Sequence, residues 1–102
     1  MALVNIDSAL LKICRALKKC EPGKGVEVLS YKRNRGVSII KQDQGGYFIK
    51  ERGYENQELQ VEERQLKKML QSIMKREFPR SRKVRVYGID GMEQLNRPLK
   101  KL

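Results

Sequence analysis

The sequence predicts an α+β domain in which two amphipathic helices pack on one face of an antiparallel sheet, and three observations predict it. Between Glu62 and Phe78 the apolar residues Leu66, Met69, Leu70, Ile73 and Met74 recur at i, i+3, i+4, i+7 and i+8, a single stripe along a helix. Near the amino terminus Leu10, Ile13, Cys14 and Leu17 repeat that helical spacing. Between these stretches, and again after the second, the period changes to short runs rich in β-branched and aromatic residues, bounded by Gly or Asn. A chain of 102 residues with 39% hydrophobic and 34% charged residues suits one such domain, placed at residues 1–88, with 89–102 as a loosely held basic tail.

In chain order, Asp7 or Ser8 is the expected N-cap of a first helix running from about residue 7 to 20. Glu21-Pro22-Gly23 ends it, and Lys12, Arg15 and Lys19 fall on the side away from the apolar stripe. Val26 to Lys32, Val37 to Lys41 and Tyr47 to Arg52 read as a three-stranded antiparallel meander, with Phe48 in the core. Its turns are Asn34-Arg35-Gly36 and Asp43-Gln44-Gly45-Gly46, residue types that accept positive φ. Gly53 to Glu58 is polar and reads as a loop, after which Leu59-Gln60-Val61 pairs briefly with the sheet.

The second helix opens on Glu62-Glu63 at its positive dipole end and closes on Lys75-Arg76 at its negative end, with Pro79 as the stop. Its outer ridge is Arg64, Lys68, Gln71 and Lys75. Lys83-Val84-Arg85-Val86-Tyr87 then alternates strictly, which puts Val84 and Val86 inward and Lys83, Arg85 and Tyr87 outward on a fourth main strand. With both helical stripes on one side, the other sheet face is left to solvent or to a ligand.

The order helix, three strands, helix is similar to that of double-stranded RNA-binding domains. Those domains start their second helix with a Lys-rich segment, whereas this chain has Glu62-Glu63 there. The resemblance therefore implies a layered α+β fold and not the phosphate-docking mode of that family.

Charge narrows the function classes. Lys and Arg number 23 against 12 Asp and Glu, a net charge of +11, beyond the magnitude of about 2 to 8 that keeps a small domain in solution. Such an excess points to a polyanionic partner. With no His in the chain, the usual general base near neutral pH and the commonest metal ligand are missing. There is no Gly-x-Ser-x-Gly elbow and no Gly-x-x-x-x-Gly-Lys phosphate loop, so no enzymatic role is expected. Cys14 and Cys20, about 9 Å apart if they share a helix, are too far apart for a disulfide and, without His, make a poor zinc pair. Cys14 belongs to the apolar stripe and reads as a core residue. No metal and no cofactor is expected. No apolar run nears the roughly 18 residues of a membrane span, and MALVNID lacks the features of a secretory signal, so a cytoplasmic protein without a membrane partner is expected.

What remains is a non-enzymatic nucleic-acid-binding module, for DNA or RNA. Its expected phosphate contacts are Lys32, Arg33 and Arg35 at the first turn, Lys50 and Arg52 in the third strand, and Arg80, Arg82, Lys83 and Arg85 at the fourth. Tyr87, sharing a strand face with Lys83 and Arg85, is the expected base-stacking residue. The alternative is a protein-interaction module, including a homodimer, that pairs through an open sheet edge.

Overall fold

The computed structural model of the protein describes residues 2–30, 35–43, 45–53, 55–79 and 82–90. The elements in order are β1 (Ala2–Asn5), α1 (Ile6–Lys19), β2 (Gly25–Leu29), β3 (Gly36–Lys41), β4 (Tyr47–Arg52), β5 (Asn56–Val61), α2 (Glu63–Glu77) and β6 (Lys83–Ile89). The strands form one antiparallel sheet in the order β1-β6-β2-β3-β4-β5. Both helices lie on the same face, α1 over β1, β6 and β2, and α2 over β4 and β5. The α+β class, the meander β2-β3-β4 and the one-sided helix layer agree with the sequence reading.

Two strands exceed it. β1 is only Ala-Leu-Val-Asn, too short to show a period, and it forms because β6 offers a free side, with Ala2 opposite Val86 and Val4 opposite Val84. β5 begins at Asn56, inside the stretch expected to be a loop. Its sequence Asn-Gln-Glu-Leu-Gln-Val is poor in strand formers, but β4 holds it in register from Asn56 opposite Arg52 to Val61 opposite Tyr47. Tertiary pairing overrides weak local propensity at both places.

β1 also moves the start of the first helix. Asn5, the last residue of β1, is the N-cap, and its side-chain Oδ1 accepts from the Asp7 N–H at 3.0 Å. Asp7 and Ser8, expected as caps, sit inside the first turn, where Asp7 faces the positive end of the dipole. Cys20 closes the helix as its C-cap. At α2 the Glu62 side chain and the Gln65 side chain each meet the other's backbone N–H, a capping box built on Glu. The turn between β3 and β4 uses Gly45 at φ +85° and Gly46 at φ +80°, conformations other residues avoid. Residues 31–34 of the expected first turn lie outside the described residues, but its base is closed by the Ser30 N–H donating to the Arg35 carbonyl at 2.9 Å.

The core lies between sheet and helices. Val26 and Val28, Val37 and Ile39, Tyr47 and Ile49, and Val84 meet Ala9, Ile13, Leu17, Leu66, Leu70, Ile73, Met74 and Phe78. Cys14 is half-buried at its margin. Two expectations fail here for one geometric reason each. Met69 is 36% exposed, because it lies on the flank of α2 beside Gln60, Gln65 and Ser72 and off the buried line of Leu66, Leu70 and Ile73. Phe48 is on the opposite face against Ile40 and Ile89, and Tyr47 takes the core place, because β4 pairs so that Tyr47, Ile49 and Glu51 share the helix side.

Ile73 has no exposed surface, and Lys68 on the same helix is exposed. Ile73→Asp is expected to cost more than about 4 kcal/mol, enough to unfold a small domain. Lys68→Asp is expected to leave the melting temperature within a few degrees of the parent. Thermal melts followed by circular dichroism check both, and similar melting of the two variants would contradict the assigned helix face.

Candidate nucleic-acid interface

The register determines which side chains leave the sheet away from the helices. Across β6, β2, β3, β4 and β5, one row on that face reads Tyr87, Glu27, Ser38, Lys50 and Glu58, and a second reads Arg85, Leu29, Gly36, Arg52 and Asn56. Lys83 follows Arg85 on the same parity of β6, opposite Asn5 of β1. Lys50 and Arg52 from β4 therefore share a face with Lys83, Arg85 and Tyr87 from β6. Two strands lie between them, so the two groups stand about 14 Å apart across the sheet.

The centre of this face, expected to be left to solvent or to a ligand, is closed. Glu27, Ser38, Leu29, Ile40 and Ile89 are all 5% exposed or less. Phe48 lies over Ile40 and Ile89, and Glu27 forms a polar node: the Ser38 hydroxyl donates to its Oε2 at 3.3 Å, and the Arg52 guanidinium stands 3.7 Å from the same oxygen. A buried carboxylate needs a cation, so Arg52 is committed to the fold as well as to the surface. Lys50, Arg85 and Tyr87 are half-buried around this node, and Lys83 is exposed.

The remaining expected contacts are elsewhere. Arg35 is half-buried and lies against Gly53, beside the Glu77 carboxylate; a Cβ at Gly53 would collide with the Glu77 carboxylate and crowd the Arg35 side chain. That packing belongs to the end of the sheet under α2, not to the face of Lys50 and Arg85. Arg82 is exposed in the bend before β6, and its carbonyl accepts the Ile6 N–H at 2.7 Å. Lys32, Arg33 and Arg80 lie outside the described residues.

The fold also assembles a cluster that sequence reading passed over. Glu51 and Glu77, 26 positions apart, are buried together between β4 and the end of α2. Arg76 clamps Glu51 with Nε to Oε2 at 2.9 Å and Nη2 to Oε1 at 2.7 Å, and Gln57 donates to Oε1 at 2.8 Å. Glu77 adds to the groups that lower the Glu51 carboxyl. The Glu55 N–H donates to Glu77 Oε2 at 3.2 Å. Alternation along β4 puts Glu51 on the parity of Tyr47 and Ile49, but with Phe48 expected in the core that parity reads as outward, so the sequence does not flag the cluster. At 1% and 0% exposure these carboxyls are closed to a substrate, and the cluster ties α2 to the sheet. Among the described residues no group of three Cys, Asp or Glu side chains is placed to hold a metal ion, and no helix is long and apolar enough to cross a membrane.

No protein-family model, curated protein or solved structure matches the chain.

Burial pushes the Glu51 carboxyl up, but the hydrogen bonds from Arg76, Glu77 and Gln57 and the Arg76 charge outweigh it and hold the group at about 2, below its ordinary 4.5. The folded state therefore binds this proton less readily than the unfolded chain. The stabilisation is present above about pH 4.5 and is lost as the pH falls toward 2. Because the Arg76 side chain is 38% exposed, about 2 kcal/mol is expected after discounting for solvent. Glu51→Gln is accordingly expected to be less stable than the parent near neutral pH, with the gap closing on acidification. Urea titrations across that range test this, and a gap independent of pH would remove the ion pair as its cause.

Proposed function

We propose that the protein is a non-enzymatic nucleic-acid-binding module whose sheet face away from the helices engages the phosphodiester backbone. The supporting observation is the register that brings Lys50, Lys83, Arg85 and Tyr87 to one face, on a chain whose net charge is +11. On this reading Lys83 and Arg85 meet phosphates along β6, Lys50 meets a phosphate further along the strand, and Tyr87 stacks on an unpaired base. Arg52 supports the site by neutralising Glu27, which would otherwise repel the ligand from its centre.

A second reading has its own observation. β5 is a sheet edge with β4 as its neighbour, and it carries no Lys or Pro among its residues. Such a strand presents unpaired N–H and C=O groups to an extended segment of another chain, or to a second copy of this one.

Binding to random oligonucleotides measured against salt separates the two. For about four phosphate contacts the log–log slope is expected to be about −3 to −4. Lys50→Gln combined with Arg85→Gln is expected to weaken binding about tenfold or more, while Lys12→Gln with Lys75→Gln, which removes equal charge from the helix layer, costs less than about threefold. Tyr87→Ala is expected to remove about 1 to 3 kcal/mol from single-strand binding. Equal losses from the two charge pairs would reduce the interaction to net charge, and no binding near about 0.1 M salt would give first place to the β5 edge.

A further inference from the structure

The helix layer contains a site that the sheet-face reading does not use. A groove of about 450 Å³ opens between α1 and α2, within the range of about 300 to 1,000 Å³ of small-molecule sites. Its floor is apolar, made by Leu11 and Cys14 of α1, Leu66 of α2 and the ring of Tyr47 from the sheet below. Its rim is basic: Arg15 and Lys18 on one helix face Arg64 and Lys67 on the other, against the single carboxylate of Glu63.

Three of those four charges have no carboxylate partner among the described residues. Arg64 pairs with the exposed Glu62 at 2.7 Å. Among the described residues no carboxylate forms an ion pair with Arg15, Lys18 or Lys67. Burial pushes the Cys14 thiol up while the Lys67 and Lys18 charges pull it the other way, so both ammonium groups act on the floor of the groove. An apolar floor under a rim with a net positive charge fits a molecule with an apolar body and an anionic head.

The dimensions select among anionic partners. The lining residues span Leu11 to Lys18 on α1 and Glu63 to Lys67 on α2, about two turns and just over one turn. That is too short a groove for a partner helix, and a bare phosphodiester backbone would leave the apolar floor unused. We propose that the groove between α1 and α2 binds a small anionic amphiphile, a single apolar chain ending in a carboxylate or phosphate, independently of the sheet face.

Dodecyl phosphate below its micellar concentration is the probe. Calorimetry is expected to give one site per chain, and Arg15→Gln with Lys67→Gln to weaken binding about tenfold or more. Both positions are exposed, and an unchanged circular dichroism melt establishes that the variant is folded. The location is read from alkylation by iodoacetamide with peptide mass spectrometry. At about ten times Kd, dodecyl phosphate is expected to slow modification of Cys14 about tenfold while leaving Cys20, outside the groove, at its free rate. Dodecyltrimethylammonium and inorganic phosphate are expected to protect neither thiol. Absence of binding, equal protection of both cysteines, or equal protection by the cationic amphiphile overturns the proposal. Protection of Cys14 by an oligonucleotide as strong as that by dodecyl phosphate also overturns it, because the groove would then be part of a nucleic-acid surface. Loss of nucleic-acid binding alone leaves these outcomes unaffected.

Discussion

The insertion of β6 between β1 and β2 is the constraint on which the rest depends. It is the least local pairing in the chain, joining Ala2 to Val86 and Gly25 to Ile89. Through it the amino-terminal strand gains its one neighbour among the described strands, α1 gains a floor, and Val84 enters the core without exposed surface. The same pairing sends Lys83, Arg85 and Tyr87 to the opposite face in register with β2. Because side chains alternate with a period of two, a slip of one residue would bury Lys83 and Arg85 under the helices and expel Val84 and Val86. The valines therefore hold the basic face in position.

The two faces of the sheet solve the burial of charge in different ways. On the helix side, Glu51 and Glu77 are enclosed where α2 ends; a bidentate Arg76 and Gln57 meet Glu51, and the Glu55 N–H meets Glu77. On the far side, Glu27 is enclosed at the centre of the sheet and is met by Ser38 and Arg52. Each arrangement uses one arginine to make a buried carboxylate tolerable, since a carboxylate removed from water without such a partner costs several kcal/mol. Part of the basic excess, Arg52 and Arg76, is thus structural.

Two further groups of cations among the described residues lie on surfaces with different chemistry. The sheet face offers Lys50, Lys83 and Arg85 with an aromatic ring beside them, on a rigid lattice whose spacings are set by hydrogen bonds. The helix layer offers Lys12, Arg15, Lys18, Lys67, Lys68 and Lys75 as exposed side chains, with an apolar groove between the helices. A repeating polyanion suits the first, and a compact anion with an apolar body suits the second. Net charge attracts both to the molecule, and the local arrangement of rings, methyl groups and charges discriminates between them.

The sequence by itself determined the two helices, the meander, the inward side of Val84 and Val86 and the class of the fold, because each is encoded in residues close together whose period is visible over two or more turns or strands. It also determined that Leu66, Leu70, Ile73 and Met74 face the core. Only the tertiary structure decided the existence of β1 and the full length of β5, whose residues have little strand propensity of their own and take their conformation from a neighbouring strand. It likewise decided that Tyr47 and not Phe48 enters the core, that Glu51 meets Glu77 and Arg76, and that Lys50 and Arg85 share a face while Arg35 does not. These are matters of register and of contacts between residues far apart in the chain. Local periodicity assigns a side chain to one face of its own element, and only long-range hydrogen bonding and packing set that element beside its neighbours.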